Sequence, residues 1–131
     1  MSENKPLNKV FEKTLSDIVI KCSYEVYQIL GPGYLEKVYE NALIEEMNFR
    51  GITEVNSQVP VDVFYKNKCV GDYFADIIIG KRIIIELKSC SDISGKHIAQ
   101  LLNYLKATGI KVGYVINFGN ESCLQYKRLV L

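Results

Sequence analysis

The chain has 131 residues, which predicts a single domain, and we expect this domain to span residues 1–131 with a flexible tail over 1–6. Its composition, 48% hydrophobic and 24% charged, is typical of a soluble globular protein, and no apolar stretch is long enough to cross a bilayer. The formal net charge of +1 argues against tight non-specific nucleic-acid binding by this chain alone. It does not exclude a nuclease, because an acidic metal site subtracts charge locally. The polar N-terminus carries no signal peptide, so a cytoplasmic location is expected by default.

The cysteines and the histidine argue against a zinc or iron–sulfur site. The four cysteines, at positions 22, 69, 90 and 123, form no CxxC pair, and the chain has one histidine, His97. We therefore expect four buried, reduced thiols.

Helical periodicity marks the first part of the chain. An amphipathic helix is predicted over residues 7–30 and ends at Gly31-Pro32-Gly33. Its apolar face comprises Phe11, Leu15, Ile18, Cys22, Val26 and Ile29. A second helix is predicted from about Tyr34 to Arg50, with Gly51 as its C-terminal cap.

The apolar period then shortens to two residues, which predicts β-strands. The expected strands are Val59–Tyr65, about Cys69–Ile79, and about Ile83–Lys88. They are joined by turns at Lys66-Asn67-Lys68 and Gly80-Lys81-Arg82. Because the run Ile83-Ile84-Ile85 is apolar on both faces, the third strand is expected to be central and covered on both sides.

The last part of the chain predicts one helix and a return to the sheet. Capping residues in Ser91-Asp92-Ile93-Ser94 begin a third helix that runs to about Thr108 and ends at Gly109. A strand follows over Lys111–Phe118, and Arg128–Leu131 is a candidate for a short final strand. The order is ααβββαβ(β), and its strand–helix–strand unit favours a right-handed crossover within a mixed sheet flanked by helices.

Three charged residues interrupt the apolar hairpin: Asp76, Glu86 and Lys88. Glu86 and Lys88 are two residues apart and share a face. Asp76 joins that face if a three-residue turn sets Ile79 opposite Ile83, or if a bulge restores it, whereas a two-residue turn would put it on the other face. The alternative is an exposed hairpin with ordinary edge charges, which the flanking isoleucines disfavour.

A shared face would allow metal chemistry. Asp76 and Glu86 would hold one Mg²⁺ or Mn²⁺, with the Leu87 carbonyl as a further oxygen ligand. The ion would polarise a scissile phosphate and activate a water molecule. Lys88 would orient or help deprotonate that water and offset developing charge.

Other polar residues are candidates for the same site. Glu36 falls in the apolar arc of the second helix near Leu43 and Met47, so it is expected to be a metal ligand or a boundary glutamate with a satisfied hydrogen bond. Glu40, one turn later, is a weaker candidate. Gln100 and Tyr104 are spaced i, i+4 on the third helix and can project together toward a phosphate or a base.

Two further observations carry less weight. His97, near a helix start, is interpreted as a structural polar residue. Scattered basic residues that could touch a nucleic-acid backbone, but that usually serve solubility, are Lys66, Lys68, Lys81, Arg82, Lys96 and Lys106.

Together these residues resemble the PD-(D/E)XK nuclease superfamily. The matching residues are Asp76, then Glu86-Leu87-Lys88, then Gln100-x-x-x-Tyr104, which is similar to the QxxxY motif of helicase-associated exonucleases. Gly33-Tyr34-Leu35-Glu36-Lys37-Val38-Tyr39 resembles the signature of the small GxxExxY family within that superfamily. The motif proline is replaced by Ala75, at a position that varies in the superfamily.

The resemblance implies a restriction-endonuclease-like α/β core and a role for each matching residue. By resemblance Asp76, Glu86 and the first-helix Glu36 are metal ligands, Lys88 is the catalytic lysine, and Gln100 and Tyr104 lie near the substrate. We therefore expect a Mg²⁺- or Mn²⁺-dependent nuclease acting on DNA, with RNA as an open alternative substrate and a homodimer or larger complex as a possible assembly. The competing hypothesis is a non-catalytic module that binds nucleic acid or a protein partner, which the near-neutral charge and small size favour.

Overall fold

The computed structural model describes the backbone of residues 4–131 and the side chains from residue 14 onward. The elements follow the predicted order, and the final strand is present. Their bounds are α1 Asn4–Leu30, α2 Glu36–Phe49, β1 Val55–Tyr65, β2 Lys68–Ile79, β3 Ile83–Lys88, α3 Gly95–Thr108, β4 Val112–Asn117 and β5 Gln125–Val130. Within the tail expected over residues 1–6, residues 4–6 belong to α1, while 1–3 lie outside the described residues. The side chain of Phe11 also lies outside them.

All five strands form one mixed sheet in the order β1-β2-β3-β4-β5. Every neighbouring pair is antiparallel except β3 and β4, which are parallel and are connected through α3. This confirms the mixed sheet expected from the strand–helix–strand unit. Residues 83–87 of β3 are all buried, which confirms its central position.

Two apolar clusters cover the two faces of the sheet. On one face α1 and α2 pack through Val19 and Leu43 against Ile77 and Ile85. On the other face, α3 packs on residues of β2 to β4, including Ile78, Ile84 and Val115. Because alternate residues of one strand point to opposite faces, β2 and β3 contribute to both clusters.

The β1–β2 hairpin is longer than the rest of the sheet. The β2–β3 ladder stops at the pair Ile77–Ile85, so residues 59–65 and 68–75 pair only with each other. We call this two-stranded extension the ribbon. It closes through Lys66 and Asn67, whose φ values of 48° and 67° suit a two-residue hairpin turn, so Lys68 begins β2 instead of completing the turn.

The expectation of four buried thiols is wrong for three of them. Only Cys22 is fully buried; Cys69 and Cys123 are exposed and Cys90 is half-buried. All four are free thiols. Cys69 lies on the ribbon and Cys123 in the loop before β5, where no second layer covers them.

Between residues 4 and 131, no helix combines the length and the apolar character that crossing a membrane requires.

Candidate active site

The turn between β2 and β3 has the three-residue register that the shared face requires. Ile79 pairs with Ile83, and the Arg82 N–H donates to the Ile79 carbonyl at 2.8 Å. Gly80 and Lys81 both have positive φ, 53° and 57°. The pairing brings Asp76 to the position opposite Glu86, which is the shared-face alternative of the two that the sequence left open.

The carboxylates of Asp76 and Glu86 each accept a hydrogen bond from the backbone of the opposite strand. The Asp76 N–H donates to Glu86 Oε2 at 2.8 Å, and the Leu87 N–H donates to Asp76 Oδ2 at 2.8 Å. Regular ladder pairing ends one residue earlier, at Ile77 and Ile85. Each strand thus presents its carboxylate to the backbone of the other strand, in the gap where the two strands separate.

The pairing with β1 is also interrupted at Asp76. Ser57 pairs with Ile77 and Val59 with Ala75, but the intervening residues Gln58 and Asp76 do not pair regularly. Gln58 has a φ of 51°, which is uncommon for a residue other than glycine. The break also changes the face of the sheet that odd-numbered residues occupy. On one side of it, Val55 and Ile77 face α1 and α2. On the other side, Val59 and Ala75 face α3. Asp76 therefore lies where both of its strand neighbours leave regular pairing.

Burial changes the protonation of the two carboxyl groups. Glu86 is only 3% exposed, and desolvation, followed by the charge of Asp76, raises its pKa to about 8. The Asp76 N–H and Lys88 act in the opposite direction. Desolvation also raises the pKa of Asp76, against the lowering effect of the Leu87 N–H. Without a cation nearby, Glu86 thus holds a proton at neutral pH.

Lys88, Gln100 and Tyr104 form a connected chain beside the carboxylates. Lys88 Nζ donates to Gln100 Oε1 at 3.4 Å, and Gln100 Nε2 donates to the Tyr104 hydroxyl at 3.0 Å. Lys88 follows Glu86 by two residues in β3 and so lies on the same face, and its charge lowers the pKa of both Asp76 and Glu86. Tyr104 is nearly buried, and desolvation raises its pKa, so its hydroxyl stays protonated. The i, i+4 pair does project together, as the helical spacing predicted.

Glu36 is exposed, and the next glutamate of α2 in the predicted site, Glu40, is the buried one. Glu36 is the first residue of α2 and is exposed, because the first helical turn extends past the packed interface. It still lies on the same side as Leu43 and raises the pKa of Glu86 by its charge. Glu40 is 3% exposed and accepts bonds of 2.7 Å from both Lys37 Nζ and Gln58 Nε2.

Gln58 joins the buried glutamate to the site. Its Nε2 also lies 3.4 Å from Asp76 Oδ1, so one amide group contacts both Glu40 and Asp76. Sequence reasoning missed Gln58, because a glutamine in a strand carries no signal of a positive φ. From the sequence alone, Glu40 ranks below Glu36, although the i+4 spacing of Glu40 from Glu36 and its position within an apolar stripe are visible there.

His97 has the structural role that its position suggested. The Ser94 N–H donates to His97 Nδ1 at 3.1 Å, so the imidazole caps the start of α3. Desolvation and the nearby Lys88 lower the pKa of His97, which keeps the ring neutral and able to accept this bond.

The basic residues fall into separate regions. Lys96 and Lys106 line a cleft between α3 and the ribbon. Lys66 lies at the ribbon tip, with Nζ 5.5 Å from the centre of the Tyr65 ring. Lys81 lies in the turn at the opposite end of β3 from Lys88.

The oxygen atoms of the pair suit a hard divalent cation. Among the described residues, Glu86 Oε1 accepts no hydrogen bond and Asp76 Oδ1 accepts only the long one from Gln58. Within the described chain, no group of three or more His, Cys, Asp or Glu residues is arranged to hold a metal. Mg²⁺ is commonly bound by one or two carboxylates and retains several waters. The donor set therefore fits a hydrated Mg²⁺ or Mn²⁺ and lacks the ligands of a zinc site.

This arrangement has a counterpart among known families. A family model of the PD-(D/E)XK nuclease superfamily matches residues 13–129. The chain belongs to the PD-(D/E)XK nuclease superfamily. Members of this superfamily generally are nucleases, which makes the chain a nuclease-superfamily domain with the restriction-endonuclease-like fold.

Solved structures support the fold of this superfamily domain. The crystal structure of SSO0001 is similar, with a TM-score of 0.52 and 20% identity over 72% of this chain. The alignment covers 48% of SSO0001, so this chain spans about half the length of that protein. No curated protein matches the chain.

Proposed function

We propose that this protein is a Mg²⁺- or Mn²⁺-dependent nuclease that hydrolyses phosphodiester bonds in DNA. The observation that carries the proposal is the pair of bonds at the end of the β2–β3 ladder, in which Glu86 accepts from the Asp76 N–H and Asp76 accepts from the Leu87 N–H. Lys88 follows Glu86 by two residues in β3 and therefore lies on the same face. A structural role alone gives no reason to bury two carboxyl groups side by side, because burying them without a counter-ion costs free energy.

Each residue has a definite task in this proposal. Asp76 and Glu86 hold the cation, with the Leu87 carbonyl as a third protein oxygen. A bound cation would neutralise charge on the scissile phosphate and lower the pKa of an attacking water. The N–H groups of Asp76 and Leu87 keep one oxygen of each carboxylate fixed, which leaves the other oxygen for the ion.

Lys88 completes the site as the group that handles the water. Its ammonium is oriented by Gln100, which is in turn held by Tyr104. A positioned amine can orient the water, accept its proton after losing its own, and offset charge that develops in the transition state. Glu36, in the segment that resembles the GxxExxY signature, would act on the ion through a bound water because of its exposed position at the start of α2.

The decisive experiment is cleavage of labelled DNA by purified protein with Mg²⁺ or Mn²⁺, compared with EDTA. Asp76→Ala and Lys88→Ala should each lower the rate by about 100-fold or more, the scale of losing one charged catalytic group. Asp17→Ala and Lys111→Ala, which remove exposed charges elsewhere, are the matched controls and should retain activity. Cleavage that survives both site substitutions would overturn this mechanism. Labelled RNA in parallel tests the choice of substrate.

The second candidate is a non-catalytic nuclease-like module. The net charge of +1 and the absence of a third acidic ligand in the described chain favour it. Calorimetric titration with Mn²⁺ separates the two functions, because the nuclease requires binding that disappears in Asp76→Ala.

Cutting both strands of a duplex needs two such sites, so a homodimer stays a prediction that light scattering can check.

A further inference from the structure

A cleft of about 930 Å³ lies between α3 and the ribbon, next to the candidate active site. Gln100 and Tyr104, which connect to Lys88, also line this cleft. The cleft is thus continuous with the proposed site of chemistry.

The ribbon wall of the cleft presents aromatic rings to solvent. Tyr73 is 50% exposed and Phe64 is 63% exposed. Both rings line the same cleft and are accessible to a ligand there. Phe64 lies nearer the ribbon tip, and Tyr73 lies nearer the sheet.

Tyr73 connects the cleft to the catalytic chain. Its ring centre lies 5.9 Å from that of Tyr104, at an angle of 47° between the planes. A Cβ at Gly71 would lie only 3.3 Å from the Tyr73 ring, so glycine leaves room for the ring on this side of the ribbon. The order from the site outward is therefore Lys88, Gln100, Tyr104 and Tyr73.

The helical wall of the cleft carries positive charge. Lys96 and Lys106 are exposed on α3, and neither forms an ion pair within the described chain. Asn103 lies between them in the sequence and also lines the cleft, while Asp62 is the one acidic side chain among the lining residues. Lysines on one wall and rings on the other match phosphates and bases, respectively.

We propose that this cleft binds an unpaired strand of DNA and leads it into the Asp76–Glu86 site, with a base stacked on Tyr73 and phosphates on Lys96 and Lys106. In a duplex each base is covered by its neighbours, whereas an unpaired base offers its face to an aromatic ring. The inference rests on the proposed nuclease function and deepens it, because it assigns the substrate class as single-stranded.

The test is binding of a short fluorescent oligothymidylate by anisotropy, in EDTA so that cleavage plays no part. Tyr73→Ala should weaken binding roughly 10- to 100-fold, within the range measured for base–aromatic stacking, and Tyr73→Phe should retain it. Tyr24→Ala, which removes a ring that is 48% exposed on α1, is the matched control and should bind as the parent protein does.

Phe64→Ala provides a second variant, because Phe64 makes no ring contact among the described residues and its loss should not affect folding. Blunt duplex DNA should compete poorly. Unchanged oligothymidylate binding in both Tyr73→Ala and Phe64→Ala, or equal competition by duplex, would overturn the inference. Tighter binding of oligouridylate than of oligothymidylate would contradict the assignment to DNA.

These outcomes are separable from those of the nuclease assay. Binding that depends on Tyr73 without cleavage in any divalent metal would support the cleft while removing the hydrolytic function. Cleavage with no dependence on Tyr73 or Phe64 would leave the nuclease and remove the cleft.

Discussion

Glu86 shows how a single carboxyl group links stability to function. Its burial on the central strand β3 raises its pKa to about 8, and the neighbouring Asp76 contributes in the same direction. A folded pKa above the unfolded value of about 4.5 means that the folded protein binds the proton more tightly. The associated stability is present below pH 4.5 and is lost as the pH rises through 8.

We therefore predict that Glu86→Gln abolishes cleavage but stabilises the metal-free protein at alkaline pH. The amide keeps an oxygen for the Asp76 N–H and carries no charge to desolvate. The gain should be up to about 5 kcal/mol at pH 8.5, since the pKa rises from 4.5 to about 8 and one pKa unit corresponds to about 1.4 kcal/mol. It should vanish near pH 4.5.

Urea unfolding in EDTA at the two pH values measures this difference. Glu45→Gln, on the exposed side of α2, is the matched control and should leave the pH dependence of stability unchanged. A Glu86→Gln variant that is less stable than the parent at pH 8.5 would contradict the prediction.

At the scale of elements, the break at Gln58 and Asp76 shapes the site. Regular pairing there would place Asp76 within a ladder, with its backbone groups bonded to both neighbours. Instead Gln58 adopts a φ of 51°, and the Asp76 N–H is left to bond Glu86. A side chain in the left-handed region costs about 1 kcal/mol, which the surrounding contacts must offset.

We predict that Gln58→Gly is more stable than Gln58→Ala by about 1 kcal/mol. Both variants lose the bonds to Glu40 and Asp76, so their difference reports the backbone alone. In an ordinary strand the order is reversed, because glycine is destabilising by roughly 0.5–1 kcal/mol relative to alanine. Urea unfolding of both variants checks the sign.

Ser57 provides the control for this pair, because it precedes Gln58 in β1, is exposed and pairs regularly with Ile77. Ser57→Ala should be more stable than Ser57→Gly. The same order at both positions would show that Gln58 is not strained.

At the scale of the whole molecule, the net charge is small, and positive charge is concentrated at particular sites. The formal net charge of +1 gives little long-range attraction for a polyanion. The lysines of the cleft are concentrated on one helix, while those at residues 66 and 81 lie in turns elsewhere. Affinity for a single strand should then depend on few phosphate contacts and on ring stacking.

We predict a shallow salt dependence for oligothymidylate binding. Two phosphate contacts give a slope of about −1.4 for log K against log salt concentration, since each contributes about −0.7 on single strands. The double variant Lys96→Ala, Lys106→Ala should bring the slope near zero, while Lys111→Ala should leave it unchanged. Anisotropy titrations over a series of KCl concentrations measure this, and an unchanged slope in the double variant would place the phosphate contacts elsewhere.

Much of the fold could be predicted because its signals are local. The change from a helical to a two-residue apolar period separates α2 from β1, and glycines 31, 80 and 109 mark where elements end. The register of the β2–β3 hairpin follows from the turn length, so the sequence reduced the position of Asp76 to two alternatives. Element ends were less accurate, as at β1 and β5, which begin earlier than predicted because partner strands extend their pairing.

The sequence by itself determined the candidate chemistry: an aspartate, a glutamate and a lysine within an apolar hairpin, with Gln100 and Tyr104 on the following helix. Only the tertiary structure decided that Asp76 and Glu86 bond to each other's strands, that Glu40 rather than Glu36 is buried, and that Gln58 joins Glu40 to Asp76. The physical reason is that residue type and spacing are properties of the chain. The burial of a carboxylate, and the change of sheet face at Gln58 and Asp76, depend on segments that meet only after folding.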